Sequence, residues 1–194
     1  MECRSTDETT EGPFYRPHAP DRTDLYPPGS TGPVLWFTGT VADTRCCSIP
    51  HVEIEVWHAD SKGLYDSNDP IAPQSPAHFR CRGRMTTDSQ GRFELRTEIP
   101  GNYPVATQSW VRVKHIHFKL FAPGHRSLTT QIFLLPDDHT SSDRLYNPRL
   151  AVQLERGSSQ AGREGAFSAR FDFVLEPASD AAYALPEATV SARS

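Results

Sequence analysis

Proline and glycine place the strongest constraint on this chain: 17 prolines and 12 glycines are spread along all 194 residues. Proline fixes φ and removes a backbone donor, and glycine raises the entropic cost of regular structure. Long helices are therefore disfavoured, and many short strands joined by turns and structured loops are expected. The length suits one domain. Residues 35–42 (LWFTGTVA) and 52–58 (VEIEVWH) read as strands, the second with Val52, Ile54 and Val56 on one face and Glu53, Glu55 and Trp57 on the other. Residues 59–80 read as a loop marked by Gly63, Pro70, Pro73 and Pro76. In RMTTDSQGRFELRTEI (84–99) the turn signal DSQG separates two strand-like runs, so a hairpin is expected. Residues 110–121, 129–135 and 166–175 complete the strand set, and a helical turn is expected near 140–147. Residues 1–33 form an arm that must pack on something else to be ordered, 34–177 the core, and 178–194 a tail. The expected fold is all-β, a single-domain β-sandwich of mostly antiparallel strands with long loops and an extended N-terminal arm.

Composition excludes several partners. Net charge is −4 with no long basic run, so nucleic acid is not expected. No run of about 18 apolar residues is present, so no membrane span is expected. The start, MECRSTDETTEG, has no apolar leader, which makes the cytoplasm the expected compartment. Secretion is the alternative if a start methionine stands on a trimmed mature chain. Cys3, Cys46, Cys47 and Cys81 form no CxxC pair, which argues against structural zinc. Their even number permits two disulfides, but free thiols are the expectation for a chain without a leader.

The sharpest local feature is His115-Ile116-His117 within a strand-like run. Residues i and i+2 share a face of a strand, so both imidazoles can reach one metal ion. Two polar residues on a solvated face would give the same spacing. Periodicity does not decide between them: Val111, Val113, Lys119 and Phe121 fall with the histidines, and Trp110, Arg112, Lys114, Ile116, Phe118 and Leu120 fall opposite. Tyr103, twelve residues before His115, and Tyr65, just after Gly63, lie in loops that could approach this strand. A packed aromatic ring with a bonded hydroxyl is the plain reading of either tyrosine.

Five segments together resemble the intradiol ring-cleavage dioxygenases: EGPFYRP (11–17), VEIEVWHADSKGLYD (52–66), FRCRGRMTTDSQGRFELRTEIPGNYP (79–104), RVKHIHFKL (112–120) and LTTQIF (128–133). They occur in the family's order. The resemblance implies a non-haem iron(III) cofactor held by Tyr65, Tyr103, His115 and His117, with Tyr103 and His117 axial. It implies cleavage of a catechol-type ring by O2 between its hydroxyl-bearing carbons, giving a cis,cis-muconate type product. Tyr103 would act as ligand and base, Arg112 would stabilise charge developing on the ring, and Gln131 would hydrogen-bond near the iron. Thr10, Pro13, Tyr15 and Ile49, with Arg112, are the implied substrate contacts, and a homodimer is compatible with the resemblance. The donor set is chemically coherent, because ferric iron favours anionic oxygen donors and also accepts imidazole.

The sequence departs from the family where the usual WRPAHIHF becomes VRVKHIHF, and where Val105, Ala106 and Thr107 replace the basic and aromatic residues of protocatechuate enzymes. Cys46 and Cys47 stand where a turn Gly or Pro is usual. Two other readings stay open: an iron(II) β-barrel oxygenase using HxH plus a carboxylate, and a β-sandwich binding module without catalysis.

Overall fold

The computed structural model describes residues 2–66, 79–105, 109–157 and 165–178. Most of the expected loop 59–80 (with Pro70, Pro73 and Pro76), Ala106, Thr107 and the expected tail beyond residue 178 lie outside the described residues. In chain order the strands are β1 (Val34–Asp43), β2 (Glu53–Trp57), β3 (Arg82–Thr86), β4 (Arg92–Glu98), β5 (Tyr103–Pro104), β6 (Val111–Arg112), β7 (His115–Phe121), β8 (Leu128–Leu135), β9 (Ala151–Gln153), β10 (Glu155–Arg156), β11 (Phe167–Arg170) and β12 (Phe173–Leu175). One sheet runs β10-β11-β1-β12 with β4 on the other edge of β1, the second runs β3-β2-β7-β8-β9, and β5 pairs with β6 as a short ribbon. Pairing is mostly antiparallel, the parallel exceptions being β1 with β11 and β12 and β8 with β9.

The two sheets share one apolar core, because alternate residues of each strand point between them. Leu35, Phe37 and Val41 of β1 and Phe93 and Leu95 of β4 meet Ile54 and Val56 of β2, Ile116, Phe118 and Leu120 of β7 and Ile132 and Leu134 of β8. The Phe37 and Phe118 rings bridge the sheets at 5.2 Å. His58, at the end of β2, is buried with Nδ1 2.7 Å from the Ala59 carbonyl and Nε2 2.8 Å from Thr97 Oγ1 of β4. Burial, the main cause, holds its pKa down at about 4.

The expected hairpin over 84–99 is only half right. The turn forms as read, with Asp88 Oδ1 accepting from Gln90 and Arg92 amides and Gly91 at φ +73°. Its flanking strands do not pair: β3 joins β2, while β4 joins β1 in the other sheet. Alternation marks a strand but not its partner, and here the turn carries the chain across the sandwich. The run 110–121 is also broken, into β6 and β7, by Val113 and Lys114. The run 166–175 splits into β11 and β12, both lying along β1. The helical turn lies at Pro148–Leu150, just past 140–147, capped by Asn147.

The arm is ordered by packing. It begins against the first sheet, where the Thr6 amide donates to the Val174 carbonyl, then crosses the outer face of the second. The Thr9 amide donates to Thr129 O of β8, Lys119 of β7 pairs with Glu11 at 2.6 Å, and the Tyr15 hydroxyl donates to Glu55 of β2 at 2.7 Å. Beyond that the arm hydrogen-bonds along β3 through Pro20 and Arg22 and along β4 through Thr23 and Leu25.

Cys3 is bonded to Cys46 with Cα atoms 5.3 Å apart, which overturns the expectation of four free thiols. The positive φ of Cys46, 66°, turns the β1–β2 connection toward the arm. Cys47 is free and exposed, and Cys81 is free and buried. Alkylation of the unfolded chain is expected to label two cysteines before reduction and all four after it. Four labelled thiols without reductant would contradict the bond.

His58 sets a pH dependence. Its folded value of about 4 lies below the 6.5 of a free imidazole, so the unfolded chain binds more protons between those values. Stability is full above pH 6.5 and falls as pH drops toward 4, by up to about 3 kcal/mol from this group. Urea denaturation of metal-free protein across this range is expected to show the decline, and His58→Gln is expected to make it shallower by this group's share, leaving that of the other buried histidines, His115 and His117.

Candidate functional site

Register builds the site. On the outer face of the second sheet Arg82 of β3 pairs with Trp57 of β2, Trp57 with His117 of β7, and His117 with Gln131 of β8. These four side chains form one cross-strand row, the arrangement in which neighbouring side chains interact most closely. The His117 ring stacks on Trp57 with centroids 4.8 Å apart and planes 9° apart. Gly12 of the arm lies over it, in ordinary contact range (a Cβ there would sit 3.6 Å from His117 Cε1), and its φ of +72° is what disfavours a side chain. His115 lies two residues along the same face, its ring centroid 4.9 Å from that of His117. Both are 2% exposed, so the bland reading of a solvated polar face does not hold.

The break at Val113 and Lys114 decides what joins them. The Val113 amide donates to Asp143 Oδ2 and the Lys114 amide to Asp137 Oδ2, which pulls the chain out of ladder geometry. The phase therefore shifts. Val113, expected beside the histidines, packs in the core, and Arg112, expected opposite, reaches the site. The freed Val113 carbonyl lies 2.6 Å from His115 Nδ1. A carbonyl can only accept, so Nδ1 carries the proton and Nε2 is left bare. That nitrogen stands 3.3 Å from the Tyr103 hydroxyl.

The two tyrosines arrive on touching loops. Tyr103 opens β5, paired with Arg112 of β6, and Asn102 beside it donates to Arg112 O at 3.0 Å and Asp137 Oδ2 at 2.7 Å. Tyr65 follows a tight turn in which Asp60 Oδ1 accepts from the Lys62 and Leu64 amides. Gly63 has φ +79°, and a Cβ there would lie 2.3 Å from Asn102 O. Only glycine allows this approach, which brings the Tyr65 and Tyr103 rings to 5.6 Å, edge to face.

All four groups are held neutral. Burial drives the Tyr65 hydroxyl well above its ordinary value, and the neighbouring Tyr103 hydroxyl raises it further, though no hydrogen bond of sound geometry joins the two. Burial also raises Tyr103, against the lowering effect of Arg112. His115 is pushed down to about 3, by burial first and Arg112 second, and His117 is lowered by burial and His115. Tyr65 OH and His117 Nδ1 are buried without a hydrogen-bond partner. Each such atom costs about 1–3 kcal/mol when nothing satisfies it. Two phenols and two imidazoles with neighbouring rings, among them a bare nitrogen and an orphaned hydroxyl, make a donor set that suits a cation. Among the described residues no group of three or more His, Cys, Asp or Glu side chains is placed to hold a metal, so no described carboxylate completes an HxH site.

Arg112 is no surface ion pair. It is 6% exposed, with Nε donating to Asp143 Oδ2 at 3.1 Å, Nη1 to the Tyr103 hydroxyl at 3.4 Å, and Nη2 to Gln131 Oε1. Gln131 Nε2 in turn donates to Thr10 O at 2.9 Å, which ties the arm to the site. Thr10 thus contributes its carbonyl, while Pro13 is exposed nearby. The Tyr15 hydroxyl is taken up by Glu55, and its ring packs edge-on against Trp57 at 5.0 Å. Ile49 is not brought to the site. It packs on the sandwich core, beyond the end of β2 opposite Trp57. Sequence reasoning missed Asp143, Arg82, Asp66 and Phe14, whose ring stacks on Tyr65 at 4.1 Å. Phe14, Asp66 and Arg82 lay within the quoted motifs, but only tertiary packing discloses what they touch.

The profile of a family described as Dioxygenase matches residues 10–177. A catechol 1,2-dioxygenase of Pseudomonas sp. (strain EST1001) is 31% identical over 90% of this chain and 65% of its own. A chlorocatechol 1,2-dioxygenase of Cupriavidus pinatubonensis is 33% identical over 91% of this chain and 71% of its own. Against other relatives the chain spans less, 55% of a Rhodococcus opacus hydroxyquinol 1,2-dioxygenase. Among solved structures, Acinetobacter radioresistens catechol 1,2-dioxygenase superposes with TM-score 0.82 at 26% identity, over 98% of this chain and 68% of that one. The dioxygenase domain of a Streptomyces sp. SirexAA-E carbohydrate-binding fusion does so with TM-score 0.74 at 31% identity, over 90% of this chain and 100% of that one. A match over most of the chain, on a sandwich that unites the quoted motifs on one sheet face, has one meaning: this chain belongs to the intradiol ring-cleavage dioxygenases.

Proposed function

We propose that this chain cleaves catechol-type rings between their hydroxyl-bearing carbons, using O2 and a non-haem iron(III) held by Tyr65, Tyr103, His115 and His117. The family implies non-haem iron, and relatives are named for catechol, chlorocatechol and hydroxyquinol. The observation that carries the reading is the convergence of a bare His115 Nε2, an orphaned Tyr65 hydroxyl, Tyr103 and His117 under the arm. Iron(III) bound there would supply a Lewis acid that favours both phenolates and an electron acceptor that opens the catechol ring to O2.

The residues divide the remaining work. Tyr65 is 1% exposed and covered by the Phe14 ring, away from an incoming substrate, so once ionised by the metal it would serve as a fixed ligand. Tyr103 is less buried, and the Arg112 guanidinium favours its phenolate. That makes Tyr103 the group to take a proton from an incoming catechol hydroxyl. Arg112, oriented by Asp143 and Gln131, holds a fixed positive charge beside the place where negative charge grows on the ring, with no reorganisation required. Gly12 and Phe14 cover His117 and Tyr65 and keep water from them. The Cys3–Cys46 bond supports the exported alternative over the cytoplasm, because such bonds persist in oxidising compartments.

Iron-loaded protein is expected to absorb visible light through its tyrosinates and to consume O2 on addition of catechol, with a cis,cis-muconate type product. His117→Ala is expected to lose both colour and iron. Colourless protein with full ferric occupancy would contradict the ligand set. Tyr103→Phe is expected to retain iron more weakly and to lose about 10²-fold or more in kcat, the range for a missing general base. Wild-type turnover in that variant would contradict the proton-accepting role.

A further inference from the structure

The Tyr65 hydroxyl has no protein partner at its tip, so its direction must be set at the base and faces of the side chain. We propose that Arg82 is the positioning residue that does this, acting through Asp66 and Phe14. The inference rests on the reading of Tyr65 as an iron ligand.

Arg82 is 1% exposed and Asp66 3%. Their contact is two-pronged, with Nε donating to Oδ2 at 3.0 Å and Nη2 to Oδ1 at 2.6 Å. Asp66 directly follows Tyr65, so this fork fixes the chain on its C-terminal side, while the Asp60 turn fixes it on the other. The same Nη2 donates to the Phe14 carbonyl at 2.9 Å. Phe14 lies flat on the Tyr65 ring, centroids 4.1 Å apart and planes 14° apart. One guanidinium thus holds both the residue after Tyr65 and the ring that covers its face.

Arg82 is itself anchored in the row that carries His117, separated from it by Trp57. Strand register therefore sets where Tyr65 stands relative to the histidines. Stability alone does not account for the pair, because a buried ion pair is often no more stabilising than apolar residues of similar volume. Its fork geometry does account for it. Lysine offers a point charge on a flexible stem and cannot hold a carboxylate and a carbonyl at fixed angles. Partners of this kind, one step behind a metal ligand, commonly change metal affinity about 10–100-fold when altered.

The test compares the full chain with Arg82→Lys, Asp66→Asn, Phe14→Leu and Tyr65→Phe, each reconstituted with ferric iron. Iron affinity, the visible tyrosinate band and the kcat and KM for catechol are read on each, with thermal melting to confirm folding. Arg82→Lys and Asp66→Asn are expected to lower iron affinity about tenfold or more. Their bands are expected to move toward that of Tyr65→Phe, with kcat falling more than KM rises. Phe14→Leu leaves the ion pair intact and is expected to shift the band in the same direction but less, so it carries the test if the other two fail to fold. Folded variants with the wild-type band and affinity would overturn the role of Arg82. A wild-type chain that binds iron without any tyrosinate band would instead overturn the ligand reading beneath it.

Discussion

The structure depends on the register between β2, β7 and β8. Pairing Trp57 with His117 and His117 with Gln131 sends Ile116, Phe118 and Leu120 into the core and the two histidines outward. A slip of one residue would reverse every side chain, burying imidazoles between the sheets and exposing the core of the sandwich. The apolar alternation of β7 is therefore what aims the site. The energy that specifies the register comes from the core, and the site inherits its geometry from it.

A face directed outward would ordinarily be wet. Here the arm crosses it, held by Gln131, Lys119, Glu55 and Arg82 in turn. Coverage has two consequences. It desolvates the imidazoles and phenols, which stay neutral. It also closes the Tyr65 hydroxyl and His117 Nδ1 off from bulk solvent without giving them a protein partner. A charged groove that lacked this cover would bind cations weakly and without fixed geometry. The covered cluster is preorganised because each member is held from behind: His115 by the Val113 carbonyl, His117 by Trp57, Tyr103 by its ribbon with Arg112, and Tyr65 by its turn and by Phe14.

Much of this was readable from residue order, and what was not has physical reasons. Strands with clean alternation in sequence, β1 and β2, fell within a residue or two of expectation, because the residues that face the shared core recur with a period of two, even where, as in β2, the other face is covered as well. The partners of strands did not follow, since a turn such as DSQG looks alike whether its strands pair or part into two sheets. The face of the HxH pair was ambiguous because two displaced residues, Val113 and Lys114, break the phase, and their displacement comes from Asp137 and Asp143 more than twenty residues away. The Cys3–Cys46 bond escaped notice because it joins the arm to a turn across 43 residues. Tyr65 and Tyr103 were recognised only by resemblance, and no spacing rule would have brought them together. Gly63 was the one local sign, since its positive φ is what lets the two loops touch. Ile49 shows the converse, a residue drawn toward the site by resemblance that the core claims instead.

The central claim is that one ion joins four side chains on two loops and one strand. Anomalous X-ray diffraction at the iron edge, on crystals of the iron-loaded chain, tests it most directly. The account requires a single strong peak within bonding distance of the Tyr65 and Tyr103 oxygens, His115 Nε2 and a ring nitrogen of His117. A peak elsewhere, or either phenol turned away from it, would contradict the account.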